Sequence, residues 1–254
     1  MNPTIRNVIL SGVQETDKFK LAIAAGNVLY LDSRKADGTG LPSNSPLTDP
    51  WADLNPNSNN ATPVNFAGTT SSGYNGSTSK PAFTLDGTDD CFNISDDSSL
   101  DMTVAPLAVF STIRLNAIPQ TGYIFCKGYQ AFDQVQYGIT YGFARVYAVL
   151  ENDIVTESIS GTVNASQIVN VGMIWAADGS IRTYINGTQS GSTANLGTGL
   201  TTRPNVRIGC RPLSVGNESY FKGEIFTSTV YSGVNCTAVN VLKAEAAISK
   251  RYLL

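Results

Sequence analysis

Six aspartates crowd the stretch 86–101: Asp86, Asp89, Asp90, Asp96, Asp97 and Asp101. A hard cation such as calcium wants several carboxylate and carbonyl oxygens from one loop region, and Asp86, Asp89 and Asp90 are the first candidates to supply them. Aspartate also favours turns for its own sake, because its side chain bonds nearby backbone amides. Spacing alone leaves both readings open.

A second group of side chains suits sugars. A glycan ring offers flat C–H faces and a rim of hydroxyls, so tyrosine, with an apolar ring and a polar tip, matches both. Tyr129, Tyr137, Tyr141, Arg145 and Tyr147, with Phe132 and Phe143 among them, form the densest aromatic segment of the chain and are the candidate glycan-binding set. Aromatics are equally at home in strands, where alternation sends half of such a run into the core. Trp175 shares parity with Met173 and Val171 and is expected in the core.

The composition removes several chemistries. The chain has no histidine, which excludes Ser-His-Asp and Cys-His catalysis and histidine-based zinc sites. Hydrolysis would fall to carboxylates held about 5 Å apart. The nearest pair on alternate residues, Glu151 and Asp153, falls in a turn after Leu150, and no enzymatic activity is expected. Cys91, Cys126, Cys210 and Cys236 are widely spaced and form no CxxC pair, so they read as buried free thiols. A net charge of −3, a pI near 5 and scattered basic residues argue against a nucleic-acid partner. No run is long and apolar enough for membrane insertion, and Met1-Asn2-Pro3-Thr4-Ile5-Arg6 lacks the pattern of a signal peptide.

The elements that must position these residues are strands. Helical spacing is confined to Gln14–Ala25, stopped by Gly26, and to the Ala-rich tail Ala238–Leu253. Residues 1–27 read as an N-terminal arm able to dock on a neighbour, or as a short helix packed at home; residues 28–254 form the main domain. Val28–Leu31 opens the strands, and a Gly-, Pro-, Ser- and Asn-rich loop follows to Tyr74, anchored by Trp51, Leu54 and Phe66. Leu107, Val109, Ile113 and Leu115 alternate with polar neighbours, and Tyr123–Cys126, Val135–Tyr141 and Phe143–Leu150 continue the theme. Asp178-Gly179 and Asn186-Gly187 suit type I′ turns and make a meander of Val169–Thr188. Short turns without alternating helices select an all-β, two-sheet antiparallel sandwich.

Several short pieces, taken in order, resemble laminin-G-like members of the concanavalin A-like jelly-roll superfamily. They are Phe83-Thr84-Leu85-Asp86-Gly87 with Asp89-Asp90, Ile124-Phe125-Cys126-Lys127-Gly128, Tyr184-Ile185-Asn186-Gly187, Arg207-Ile208-Gly209 and Phe221-Lys222-Gly223-Glu224-Ile225. The lead-in Tyr30-Leu31-Asp32 with Trp51-Ala52-Asp53-Leu54, and the closing Ala247–Tyr252, resemble the versions found in bacteriophages. The resemblance implies a jelly roll, bound calcium near such loops, and a family containing glycan-binding modules, adhesive modules and polysaccharide hydrolases. Hydrolases of this fold commonly carry Glu-x-Asp-x-x-Glu on a strand, and the chain has no such triplet. The expectation is a non-enzymatic phage virion protein, a capsid decoration or tail appendage assembled in the host cytoplasm. Its expected partners are other virion proteins, a homotrimer by analogy, and a host-surface glycan. The alternatives are a carbohydrate-active enzyme, hydrolase or lyase, on the same fold, and a bacterial surface adhesive module, against which the Met1 start and capped C-terminus speak.

Overall fold

The structure is a computed structural model and describes residues 15–35, 49–76, 78–116, 121–129, 134–150, 155–158, 162–191, 194–195, 200–212 and 217–254. A helix, α1 (Glu15–Ala24), leads into β1 (Asn27–Asp32), β2 (Ala61–Val64), β3 (Gly73–Asn75), β4 (Ala82–Asp86) and β5 (Cys91–Ile94). There follow β6 (Leu107–Leu115), β7 (Thr121–Tyr129), β8 (Gln134–Gly142), β9 (Arg145–Leu150), β10 (Val155–Ser158), β11 (Ile168–Trp175) and β12 (Ser180–Ile185). The chain ends through β13 (Thr188–Gln189), β14 (Ala194–Asn195), β15 (Val206–Ile208), β16 (Arg211–Pro212), β17 (Asn217–Glu218), β18 (Lys222–Ser232) and the helix α2 (Ala238–Leu253).

Two antiparallel sheets carry the molecule, as the alternation predicts. Sheet A has nine strands in the order β13-β12-β11-β6-β18-β4-β3, with β1 also on β18 and β14 on β12. Sheet B has seven, ordered β10-β9-β8-β7-β15-β5-β2. Their inner faces meet over one apolar core that includes Trp51, Phe83, Phe92, Val109, Phe125, Tyr137, Ile139, Tyr141, Val171, Met173 and Trp175. Trp175 is buried there, as its parity requires. Non-consecutive neighbours such as β6–β18 and β7–β15 mark the jelly-roll crossovers.

Sheet A is covered on its outer face too. The tail forms α2 because Val241, Ala244 and Ile248 recur at helical spacing, and Thr237 caps its start by accepting the Asn240 N–H. That apolar stripe packs on Ala108, Phe110, Ile174 and Tyr231 of the sheet. Ala22 and Ala25 of the α1 region are buried in the same cluster. This stretch of the expected docking arm is therefore spent on its own domain; residues 1–14 lie outside the described residues. Gly26 ends α1 at φ +81, where an added Cβ would meet the Ser232 carbonyl oxygen at 2.1 Å.

The two Gly turns behave differently. Asn186 and Gly187 both have positive φ, 50° and 75°, and close the β12–β13 hairpin as a type I′ turn. At Asp178-Gly179 only Gly179 is positive, at 81°, and its N–H bonds the Ala176 carbonyl at 2.9 Å, so this loop is a wider turn ending in a left-handed glycine. The cause is Asp178 itself, whose carboxylate is turned onto the Ser180 N–H at 2.9 Å and hydroxyl at 2.6 Å.

Candidate functional site

With α2 packed on the outer face of sheet A, the outer face of sheet B is the more open of the two among the described residues, and β7, β8 and β9 form its centre. In β8 and β9 alternation is regular: Tyr137, Ile139 and Tyr141 with Val146, Ala148 and Leu150 face the core, leaving Gly138, Thr140 and Gly142 with Arg145, Tyr147 and Val149 outside. In β7 the register shifts between Tyr123 and Phe125. The bulge lets both Ile124 and Phe125 enter the core and returns Tyr123 to the outer face.

The consequence is a row running across three strands. Tyr123 is paired with Thr140, and Thr140 with Tyr147. Two half-buried tyrosines thus flank one small hydroxyl residue, with β7 and β9 about 10 Å apart, two strand spacings. Thr140 Oγ1 donates to the Gly122 carbonyl at 2.9 Å, which fixes its methyl and hydroxyl between the rings.

The floor is low by necessity. A Cβ at Gly138 would lie 2.5 Å from the Phe125 carbonyl oxygen, and one at Gly142 would meet the Thr121 methyl at 3.3 Å and the Tyr147 ring at 3.6 Å. The Tyr147 ring thus lies beside Gly142 at ordinary contact distance. On the opposite wall the Arg211 guanidinium stands 5.7 Å from the Tyr123 ring centroid, a cation–π contact that holds that ring in place. Arg145 is exposed beside Tyr147.

At the end of the trough the β8–β9 hairpin turns through Phe143 and Ala144, with φ of 50° and 62°. A type I′ turn normally uses Asn-Gly because both central residues are left-handed, and a bulky side chain pays sterically there. Phe143 is nonetheless 75% exposed.

Of the five tyrosine and arginine candidates, the structure keeps Arg145 and Tyr147 on the outer face and removes two. Tyr137 and Tyr141 are buried in the core, and the Tyr137 hydroxyl donates to the Leu100 carbonyl at 2.8 Å. Neither can meet a ligand, because odd positions of β8 all point inward. The side chains of Tyr129 and Phe132, and Glu151 and Asp153, lie outside the described residues. Tyr123 is the residue that sequence reasoning missed: simple alternation groups it with Phe125, and only the bulge separates them.

The three aspartates do come together. Carboxylate oxygens of Asp86, Asp89 and Asp90 lie within 4.8 Å of one another, close enough to hold a hard cation jointly. They also build their own turn. Asp90, fully buried, accepts from the Ser72 hydroxyl at 2.8 Å and the Asp86 N–H at 2.9 Å, while Asp86 Oδ1 accepts the Thr88 N–H at 2.7 Å. Burial raises the Asp90 carboxyl from 3.8 to about 6, against those hydrogen bonds. Asp96 and Asp101 serve elsewhere, flanking the buried Lys127 ammonium at 3.0 and 2.9 Å. Asp97 caps a short turn through the Ser99 N–H at 2.8 Å.

Comparison with solved structures finds the same architecture in domains of several known proteins. Domain 4 of a GH43 extracellular arabinanase from Geobacillus stearothermophilus, in complex with arabinotriose, superposes with a TM-score of 0.59 at 15% identity, over 87% of this chain and 98% of that one. A Trypanosoma rangeli sialidase in complex with sialic acid gives 0.56 at 16% identity over 88% of this chain. The chain spans only 34% of that sialidase. A structure of botulinum neurotoxin type C, whose cell entry depends on interaction with two ganglioside molecules, gives 0.58 at 14% identity, over 89% of this chain and 53% of that one. At such identities the likeness is one of fold. No curated protein matches the chain in sequence.

These findings correct the expectation of a virion appendage. The structures named above belong to a sialidase, a neurotoxin and an arabinanase domain, and another matched structure is a mutant sialidase displaying trans-sialidase activity; none of these is a virion appendage. The family model that matches residues 86–235 agrees with the resemblance of fold and carries no virion association. By that match, across more than half of its length, the chain belongs to the concanavalin A-like lectin/glucanases superfamily.

Proposed function

We propose that the chain is a carbohydrate-recognition domain that takes a sugar ring between Tyr123 and Tyr147 on the outer face of sheet B and does not itself cleave glycosidic bonds. The observation that carries this reading is the Tyr123–Thr140–Tyr147 row. Two aromatic faces across a low floor can stack on the C–H surfaces of a pyranose or furanose, and Thr140 Oγ1, whose proton goes to the Gly122 carbonyl, can still accept from a sugar hydroxyl. The arabinanase domain solved with arabinotriose supports a saccharide as the ligand class, as does the ganglioside dependence of the toxin. A non-catalytic role is supported by the three strands that build the row, β7, β8 and β9, which contain no Asp or Glu.

The test is retention of the full chain on gels cast with neutral and acidic polysaccharides, beside a reducing-sugar assay on the same panel. Retention that falls at least tenfold in both Tyr123→Ala and Tyr147→Ala, without sugar release, is the expected result. Retention unchanged in both variants would overturn the site, and release of reducing ends would establish the carbohydrate-active enzyme instead.

A further inference from the structure

We infer that Cys91 and Cys210 are a disulfide-forming pair, able to clip β5 to the corner that follows β15. Three of the four cysteines gather at neighbouring strands of sheet B, and register separates them. The β15–β5 ladder runs Val206–Ile94, Arg207–Asn93, Ile208–Phe92, which brings Gly209 beside Cys91 as the ladder ends. The contact is close: an ideal Cβ on Gly209 would lie 3.7 Å from the Cys91 Cα. Gly209, at φ +89, bends the chain there, its N–H bonded to the Ile124 carbonyl at 3.1 Å and its carbonyl accepting the Phe221 N–H at 2.8 Å. That bend carries Cys210 to Cys91, and the two buried thiols share a hydrogen bond. A close backbone approach at Gly209, one residue from Cys210, and a hydrogen bond between the two thiols place the pair where a disulfide can form.

The other two thiols are spectators. Cys126 pairs with Arg207 in the ladder, so β15 stands between it and Cys91. Cys236 belongs to the separate cluster under α2 on the far face of sheet A.

The chemistry needs an oxidant of the glutathione-disulfide class. One protein thiolate attacks a sulfur of oxidised glutathione, breaking its S–S bond and releasing one glutathione thiolate; the second protein thiolate then attacks the protein sulfur of the mixed disulfide and expels the other. Two protein thiols become one disulfide, and one oxidised glutathione becomes two reduced. Since both cysteines are fully buried, the exchange takes place before the sandwich closes or during local opening. Its structural effect falls on the site, because Cys210 is followed directly by Arg211, the residue standing over Tyr123.

The experiment is to fold the full chain in a reduced–oxidised glutathione buffer, denature it, alkylate it with iodoacetamide and map its peptides by mass spectrometry. Alkylation of Cys126 and Cys236 only, a peptide cross-linking Cys91 to Cys210, and an unalkylated mass about 2 Da below the reduced chain are expected. Cys126→Ser should form the same link, and Cys210→Ser should leave its three remaining thiols alkylated. Alkylation of all four wild-type cysteines, or a link through Cys126 or Cys236, would overturn the inference. The wild-type map suffices if a serine variant fails to fold, and the result is independent of whether a glycan binds.

Discussion

Glu245 of α2 and Asn170 of β11 meet at 2.9 Å, both fully buried, where the last helix lies on sheet A. The carboxylate accepts twice more: its other oxygen takes the Thr229 hydroxyl at 2.7 Å and the Tyr231 hydroxyl at 2.6 Å. Three strand residues thus read one helix residue, and they fix both the rotation and the position of the helix along its axis.

Glu245→Gln turns an amide NH2 towards a hydroxyl or amide that also donates, and should cost about 1–3 kcal/mol in urea unfolding. Burial raises the Glu245 carboxyl above its ordinary value, so folding takes up a proton there. The Glu245 contribution is therefore complete below the ordinary carboxyl range and shrinks as pH rises through the folded value. The Gln variant should lose that slope.

Asp90 gives a second pH signature with a defined window. Its folded carboxyl holds a proton up to about 6 and its unfolded one releases near 3.8, so the native state binds the extra proton between them. Stability at Asp90 accordingly falls as pH rises from about 4 to 6. The difference in unfolding midpoint between wild type and Asp90→Leu, followed across that range, should narrow with rising pH; a constant difference would contradict the assignment.

At the other end of α2, Arg251 and Asp32 form an ion pair with both side chains buried, and the Tyr252 hydroxyl donates to the same carboxylate at 2.6 Å. Arg251→Met leaves Asp32 buried without its cation, and a loss of about 3–5 kcal/mol is expected. Hydrogen exchange should locate the damage in β1 and α2, leaving β8 and β9 protected.

Phe143 and Ala144 offer a gain. The double change Phe143→Asn, Ala144→Gly supplies the residues a type I′ turn prefers and should stabilise the fold by about 1–2 kcal/mol, seen as a higher unfolding midpoint. A lower midpoint would mean that Phe143 packs in a way its exposure does not suggest.

Where each strand keeps a strict two-residue period, the sequence was a sufficient guide. Trp175 went inward with Val171 and Met173, and the tail Ala238–Leu253 made the predicted helix. Legibility failed where a backbone irregularity resets the parity. Tyr123 looked like a partner of Phe125 until one extra residue in β7 reversed it, and a bulge leaves no composition mark at Ile124. Tyr137 and Tyr141 mislead for the opposite reason: aromatic density does not say which face of a strand is wet, and β8 gave its odd positions to the core. The Cys91–Cys210 approach depends on a ladder joining residues far apart in the chain, which no local pattern announces.

The position of β18 has a consequence for how the molecule is made. It binds β6 along one edge and both β1 and β4 along the other, and α2, the next element, seals that sheet's outer face. Thus β1 waits for β18, about two hundred residues later, and Asp32 waits for Arg251 and Tyr252. During synthesis the growing chain cannot complete sheet A until β18 has emerged. Such long-range pairing makes for slow folding, and translation stopped short of α2 would release a chain with Phe110, Ile174 and Tyr231 bare to solvent.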